Sequence, residues 1–392
     1  MGVVAINHAL KTEAFDRVNA ELDSLISLAD WLHANPEIAW EEHNSAKRLA
    51  EILRTRGFDV VQNYLEFPTA FRATYGSGDI NIGVIAEYDA LPGLGHACGH
   101  NIISAIAVGA ATALAAIADQ LGITVTVYGT PAEEGGGGKI EMIDRGAFTE
   151  LDFAMMAHPA PADVTRAVPY AVSHSTMTFT GKAAHAAAFP TEGINAADAM
   201  VIAQVAIGLL RQQLPATVRV HGVVTRGGEA PNAIAEQTVG RWYVRAKDLQ
   251  ELEETEVRVR RCFEAGALAT GCTLEITPDS QPYSDFHNVE ALEQLYDTNI
   301  RALGRSPITE GPEARMSSAS TDMANVSHLV PAIHPYIGLN SYPISNHQFE
   351  FAAHCIGDAA NAAIRDGAIA LAWTAIDFAE QTSAKSPKHL TE

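Results

Sequence analysis

Residues 82–134 read IGVIAEYDALPGLGHACGHNIISAIAVGAATALAAIADQLGITVTVYGTPAEE, and this stretch decides the fold. Ile82–Ala86 and Ile123–Tyr128 are short runs, apolar on both faces, as strands covered on both sides must be. Between them, Ile102–Ala118 is uncharged and Ala-rich and predicts a helix. Strand, helix, strand is the repeating unit of a parallel sheet. A helical segment at Lys139–Arg145 and a third buried strand at Leu151–Ala157 extend the pattern.

Working outward, residues 15–57 predict two helices parted by Pro36, with Leu22, Leu25, Ile26 and Leu28 on one apolar face and Ala46, Leu49, Ala50 and Leu53 on the other. Near residue 172 the pattern changes. Alternating strands at Ser173–Gly181, Thr217–Thr225, Gln237–Ala246 and Leu274–Thr277 bracket helices at Gly193–Leu210 and Leu249–Ala267. Then come a helix at Val289–Leu303, a Gly/Ser/Pro-rich loop at Gly304–Ser320, and an apolar strand near Ala332–Leu339. A long helix, Cys355–Phe378, precedes a loose tail from Gln381. The expected fold class is α/β: a mixed, largely parallel sheet in two segments, 1–171 and 283–392, interrupted by a small two-layer α+β unit at 172–282.

Composition limits the function. With 47% hydrophobic and 19% charged residues among 392, the chain has material for large cores and is not of the disordered class. Lys and Arg number 26 against 47 Asp and Glu, a formal charge of −21, which argues against nucleic-acid partners and anionic membrane surfaces. The Ala-rich helix is short for a membrane span and reads as a core helix. The N-terminus carries no basic-then-apolar leader, and Ile6 breaks the myristoylation pattern. Four cysteines are too few for a disulfide scaffold. A cytoplasmic, reducing location is therefore expected.

In sheets of this kind, function gathers beyond the carboxyl ends of the strands. Here those ends carry Glu87-Tyr88-Asp89, Thr130-Pro131-Ala132-Glu133-Glu134 and His158-Pro159, and the Ala-rich helix opens on Gly95-His96-Ala97-Cys98-Gly99-His100-Asn101. Thiolate, imidazole and carboxylate together are the ligand set of zinc and related ions. Cys98 and His100, two apart, diverge on a regular helix but can share a cleft at a helix N-terminus. Adjacent Glu133 and Glu134 can divide labour, one holding metal and the other serving a bound water as base. The glycines 135–138 followed by Lys139 fail the phosphate-loop spacing, since positions 133 and 140 are Glu and Ile. They read instead as letting the backbone approach a metal-bound substrate. No Gly-x-Ser-x-Gly elbow surrounds Ser317, Ser318 or Ser320.

These residues resemble the M20 family of metallopeptidases, in its amidohydrolase branch (subfamily D), near the aminoacylase-1-like 2 and p-aminobenzoyl-glutamate hydrolase group. The resemblance rests on GHACGHN at 95–101, GTPAEEGGGG at 129–138, MMAHP at 155–159, GKAAHAA at 181–187, APNAIAE at 230–236 and STDMANVSHLVPAIHPYIG at 320–338. Matching segments run from about Trp31 to His354. The resemblance implies two divalent metal ions, zinc first, with manganese, cobalt or nickel as alternatives. The implied ligands are Cys98, His100, Glu134, His158 and a late histidine. His347 is chosen for the last because His347-Gln348-Phe349-Glu350-Phe351 matches the family ending; His334 and His354 are rivals. Glu133 is the implied general base and Asp89 the residue that orients a ligand, while His96 is structural. The inserted unit is implied to be a ferredoxin-like lid through which a homodimer forms. Its His185 would polarise the scissile carbonyl, Asn232 would contact substrate, and Arg245 would meet a substrate carboxylate. Two positions depart from the pattern: Asn101 stands where many relatives in the branch have Asp, and Glu87 stands where the wider family has His. The implied activity is hydrolysis of the amide bond of a small N-acyl amino acid, aminobenzoyl-glutamate-like or dipeptide substrate. The alternative is a non-catalytic small-molecule binding protein on the same scaffold.

Overall fold

The computed structural model describes residues 2–385. In chain order the strands are β1 (Asp59–Gln62), β2 (Phe71–Tyr75), β3 (Ile80–Glu87), β4 (Ile123–Thr130), β5 (Phe153–Met155), β6 (His158–Ala160), β7 (Ala171–Thr180), β8 (Arg219–Arg226), β9 (Gln237–Ala246), β10 (Thr273–Pro278), β11 (Ala332–Ile333) and β12 (Tyr336–Gly338). The helices are α1 (Gly2–Ala34), α2 (His43–Thr55), α3 (His100–Leu121), α4 (Gly138–Asp144), α5 (Ala196–Leu210), α6 (Leu249–Thr270), α7 (Glu290–Ala302), α8 (Met323–Ser327), α9 (Phe349–His354) and α10 (Asp358–Lys385). The chain divides into two compact units. One runs to Val168 and resumes at Phe286; the other is Pro169–Asp285.

The first unit is built on a six-stranded sheet in the order β1-β2-β4-β3-β5-β11. The pairs β4–β3, β3–β5 and β5–β11 are parallel, while β1–β2 and β2–β4 are antiparallel. Its strands are apolar on both faces because both faces are covered. Ile82, Val84, Val125 and Val127 join a core with α1, α3 and α10; Ile85, Tyr128 and Ala154 join a second core with Phe148, Met142 and Met323. The helix α3 is apolar and long enough to cross a membrane, yet 94% of its most apolar window is buried within the protein. Its small residues serve close packing. A Cβ on Gly109 would lie 2.8 Å from Leu25 Cδ1 and 2.9 Å from the Ala368 Cβ, so this glycine lets α1 and α10 reach α3.

Four sequence expectations need correction. The apolar run near Ala332–Leu339 is not one strand, because the chain leaves the large sheet at His334-Pro335, where proline has no N–H to donate. It re-pairs as β12 with β6 in a separate two-stranded sheet. The run Leu151–Ala157 likewise stops at Met155. The last helix starts at Asp358, after Gly357 (φ +84°), and extends through Lys385, so residues 381–385 belong to a helix. The rest of the expected tail lies outside the described residues. The strands β1 and β2 were not foreseen; β1 is short and largely exposed and carries little alternation.

The second unit is strand, helix, two strands, helix, strand. Its antiparallel sheet runs β10-β7-β9-β8, with α5 and α6 packed on it around Phe179, Trp242 and Phe263.

Candidate metal centre

Parallel pairing puts the ends of β3 and β4 side by side, with Glu87 opposite Thr130. Asp89 therefore lies beside the turn that carries Glu133 and Glu134. Its Oδ2 accepts from the Glu134 backbone N–H at 2.9 Å, and its Oδ1 accepts from His100 Nδ1 at 2.9 Å. The carboxylate thus fixes a peptide and an imidazole at once, and it leaves His100 Nε2 facing the cleft.

Cys98 and His100 meet in that cleft because Gly99 between them takes a left-handed φ of +86° and caps α3. The side chain of His158 opens β6. Its Nδ1 donates to the Pro159 carbonyl at 2.8 Å, which leaves Nε2 as a lone-pair donor 3.5 Å from Cys98 Sγ. The His347 backbone N–H bonds the Ala97 carbonyl at 2.9 Å, and its Nε2 lies 3.3 Å from Cys98 Sγ and 3.4 Å from Glu134 Oε1. Of the rivals, His334 packs its ring 5.5 Å from that of His158, and His354 ends α9. Among the described residues neither belongs to a cluster of three donors; His347 does.

The donors form two overlapping trios that share Cys98: Cys98, His100 and His158, and Cys98, Glu134 and His347. Ligands on one tetrahedral ion, at bonds of about 2.0–2.3 Å, stand roughly 3.3–3.6 Å apart. The separations of 3.5, 3.3 and 3.4 Å given above match. Buried polar atoms normally find partners. Here His100 Nε2 and Glu134 Oε1 are buried with no hydrogen-bond partner among the described residues. The residues fit a divalent cation.

Charge is distributed unevenly. Burial would raise the Glu134 carboxyl, but the His347 imidazole, 3.4 Å away, and then the His100 charge hold it at about 2. Burial, with His334 and His100 nearby, lowers His158 to about 3, so it is a neutral donor at pH 7. Glu133 goes the other way: burial, then the charges of Glu87, Glu134 and Asp322, push it well above the usual carboxylate range. Its Oε2 lies 3.9 Å from His100 Nε2. Two adjacent glutamates are thus driven in opposite directions, one toward the anion and one toward the protonated form.

One element was missed from sequence. Lys139, set aside with the failed phosphate loop, is fully buried between Glu87 Oε1 and Asp322 Oδ1, 2.6 Å from each. A lysine directly after four glycines at a strand's carboxyl end was the available signal; its partner Asp322 is 183 residues away. The glycine run also needs a different explanation. A Cβ at Gly136 would sit 2.2 Å from Trp40 Nε1, and one at Gly138 would sit 1.9 Å from the Pro131 carbonyl oxygen. These two glycines are required by the turn's own packing.

In the second unit, His185 is exposed, and its Nδ1 accepts from the Ala187 and Ala188 N–H groups at 3.3 and 3.1 Å. That fixes the ring proton on Nε2. Asn232 lies alongside, its carbonyl accepting from Ala186 N at 2.9 Å. Arg245 is half-buried in β9, opposite Val172 and Arg219.

The profile of peptidase family M20/M25/M40 matches residues 83–363. The mouse Xaa-Arg dipeptidase is 38% identical over 387 residues, covering 94% of this chain and 88% of its own. A p-aminobenzoyl-glutamate hydrolase polypeptide of Escherichia coli K12 is 34% identical over 281 residues, 66% of this chain and 58% of its own. Among solved structures, a dinuclear metal-binding peptidase of the M20 family from Bacillus subtilis gives a TM-score of 0.67 at 20% identity, over 91% of this chain and 99% of that one.

Proposed function

The chain belongs to peptidase family M20/M25/M40, in its amidohydrolase branch, and from that premise we propose that it hydrolyses the amide bond of a dipeptide or N-acyl amino acid. It is a metal-dependent hydrolase of peptide or amide bonds. The Xaa-Arg dipeptidase relative puts dipeptides with a C-terminal arginine first among candidate substrates, and p-aminobenzoyl-glutamate second.

Cys98, His100, His158, Glu134 and His347 would hold two ions, with Cys98 shared; the sulfur and imidazoles favour zinc, and the carboxylate admits manganese, cobalt or nickel. Such ions supply Lewis acidity, lowering the pKa of bound water toward about 7 and polarising a carbonyl. Glu133 Oε2 takes the proton of the attacking water and passes it to the leaving nitrogen. Asp89 holds His100 and the Glu134 peptide in register. His185 donates its Nε2–H to the substrate carbonyl oxygen, with Asn232 and Arg245 contacting the rest of the substrate. The second unit serves as lid and dimer interface. In support, Val201, Val205 and Leu209 recur four apart on α5 and are each more than half exposed, and β8 is an edge strand. The thiol at the centre suits a reducing cytoplasm.

The observation that carries this reading is geometric: two trios of metal donors share Cys98, and the buried Glu133 carboxyl sets its Oε2 3.9 Å from His100 Nε2 beside them. Glu133→Gln should retain the wild-type metal content and lose roughly 10²–10⁴ in kcat on any substrate found in a screen of Xaa-Arg dipeptides, N-acyl amino acids and p-aminobenzoyl-glutamate. Normal turnover by that variant would overturn it.

A further inference from the structure

A third trio of donors lies in the same cleft: Glu87, His100 and Glu133 each offer one atom within 4.8 Å of the others. The two oxygens of Glu87 have different surroundings. Oε1 faces Lys139 Nζ at 2.6 Å. Lys139 is in turn held by Asp322, through Nζ at 2.6 Å and through its backbone N–H at 2.9 Å. Oε2 points into the cleft, 3.5 Å from His100 Nε2. Glu87 is fully buried, and neither of its oxygens nor His100 Nε2 has a hydrogen-bond partner among the described residues; Oε1 is ion-paired with Lys139, whereas Oε2 faces His100.

A purely structural ion pair accounts for Oε1 alone. One lysine stands between two buried carboxylates, which leaves the Oε2 side of Glu87 facing only His100 Nε2, a place that favours a bound cation. A buried carboxylate oxygen with no partner calls for an ion as well. The 3.5 Å between Oε2 and His100 Nε2 equals the spacing of Cys98 Sγ and His158 Nε2, and it is what two ligands of one tetrahedral ion show.

We propose that Glu87 is itself a metal ligand, sharing with His100 a divalent ion through Oε2 alone, while Lys139 and Asp322 hold Oε1 out of the coordination sphere. This rests on the metal-hydrolase reading of the site. The consequence is chemical: a carboxylate oxygen joins the thiolate and imidazoles of the His100 pocket, making it harder and more accepting of manganese.

Two experiments decide it. The first is an anomalous difference map of the wild-type full chain crystallised with zinc chloride. The expected result is a peak within about 2.0–2.3 Å of both Glu87 Oε2 and His100 Nε2. A peak on His100 with Glu87 beyond about 3 Å overturns the proposal and leaves the hydrolase reading standing; no peak in the cleft overturns both. The second is cobalt titration of Glu87→Gln, which keeps the Lys139–Asp322 pair. The variant should bind cobalt(II) at least about tenfold more weakly, with an altered ligand-field spectrum and an intact sulfur-to-cobalt band. Unchanged affinity and spectrum overturn the proposal. Should the variant not fold, the wild-type map decides alone.

Discussion

Cys98 Sγ and His347 Nε2 lie 3.3 Å apart across 249 residues of chain. The His347 backbone holds a left-handed φ of +68°, unusual for a non-glycine residue, and its side chain is 53% exposed. A strained, exposed residue contributes little to a core, and the proposed ligand role accounts for its position. His347→Ala should lower metal content per chain and reduce activity by more than about 100-fold, with little change in thermal stability of the metal-free protein. Metal analysis beside a melting curve checks this; full metal content in the variant would remove His347 from the site.

Metal loading should expel protons. Burial, then the charges of Glu134 and Glu133, pushes the Cys98 thiol well above its ordinary range, so in metal-free protein at pH 7 the thiol is protonated. A coordinating sulfur must be a thiolate, so binding displaces that proton. Zinc added to chelator-treated protein in weak buffer should release at least one proton per chain, read with an indicator dye. Apparent affinity should therefore rise with pH, by about tenfold per pH unit for each proton displaced. Cys98→Ser should release fewer protons. Equal release from variant and wild type would place the titrating proton elsewhere.

The carboxyl-end carboxylates, the thiol and the histidines of the first segment were legible in sequence because each sits within a few residues of a strand or helix boundary. Buried parallel strands announce themselves by apolar runs, and their ends fix where chemistry can collect. The late histidine was not legible by the same means: His334, His347 and His354 lie in short irregular elements, and only the contact across the fold separates them. The triad of Glu87, Lys139 and Asp322 was hidden for the same reason, since pairing at long range leaves no local periodicity. The strand break at His334-Pro335 was legible in retrospect, because a proline cannot sit mid-ladder in a central strand.

The glycine run offers a graded test. A Cβ at Gly135 meets nothing closer than the Ala39 Cβ at 4.0 Å, whereas one at Gly138 meets a backbone oxygen at 1.9 Å. Gly135→Ala should melt within a few degrees of wild type. Gly138→Ala must displace Pro131 and with it the Glu133–Glu134 turn, at a cost of roughly 1–3 kcal/mol, with metal content falling in parallel. Similar melting temperatures for the two variants would show that the turn yields without strain.

Glu42 supplies a pH test away from the metal donors. Its Oε1 accepts from the Ala132 N–H at 2.8 Å and the Trp40 N–H at 3.0 Å, anchoring Ala132 at its φ of +57° just before Glu133. Burial, followed by the charge of Asp89, raises its carboxyl to about 7 from 4.5. Below about pH 4.5 the group is protonated in folded and unfolded chains alike and has no pH-linked effect. As pH rises toward 7 the unfolded chain loses the proton while the folded one retains it, so this group lowers stability progressively, and above 7 by roughly 3 kcal/mol at most. Glu42→Gln keeps an oxygen for both N–H groups and never ionises. Relative to wild type, the metal-free variant should therefore gain stability from pH 5 to pH 8, as read by urea denaturation at both values. A difference that stays constant, or that shrinks with rising pH, would mean that Glu42 is ionised in the fold at neutral pH and that its carboxylate is compensated by its neighbours.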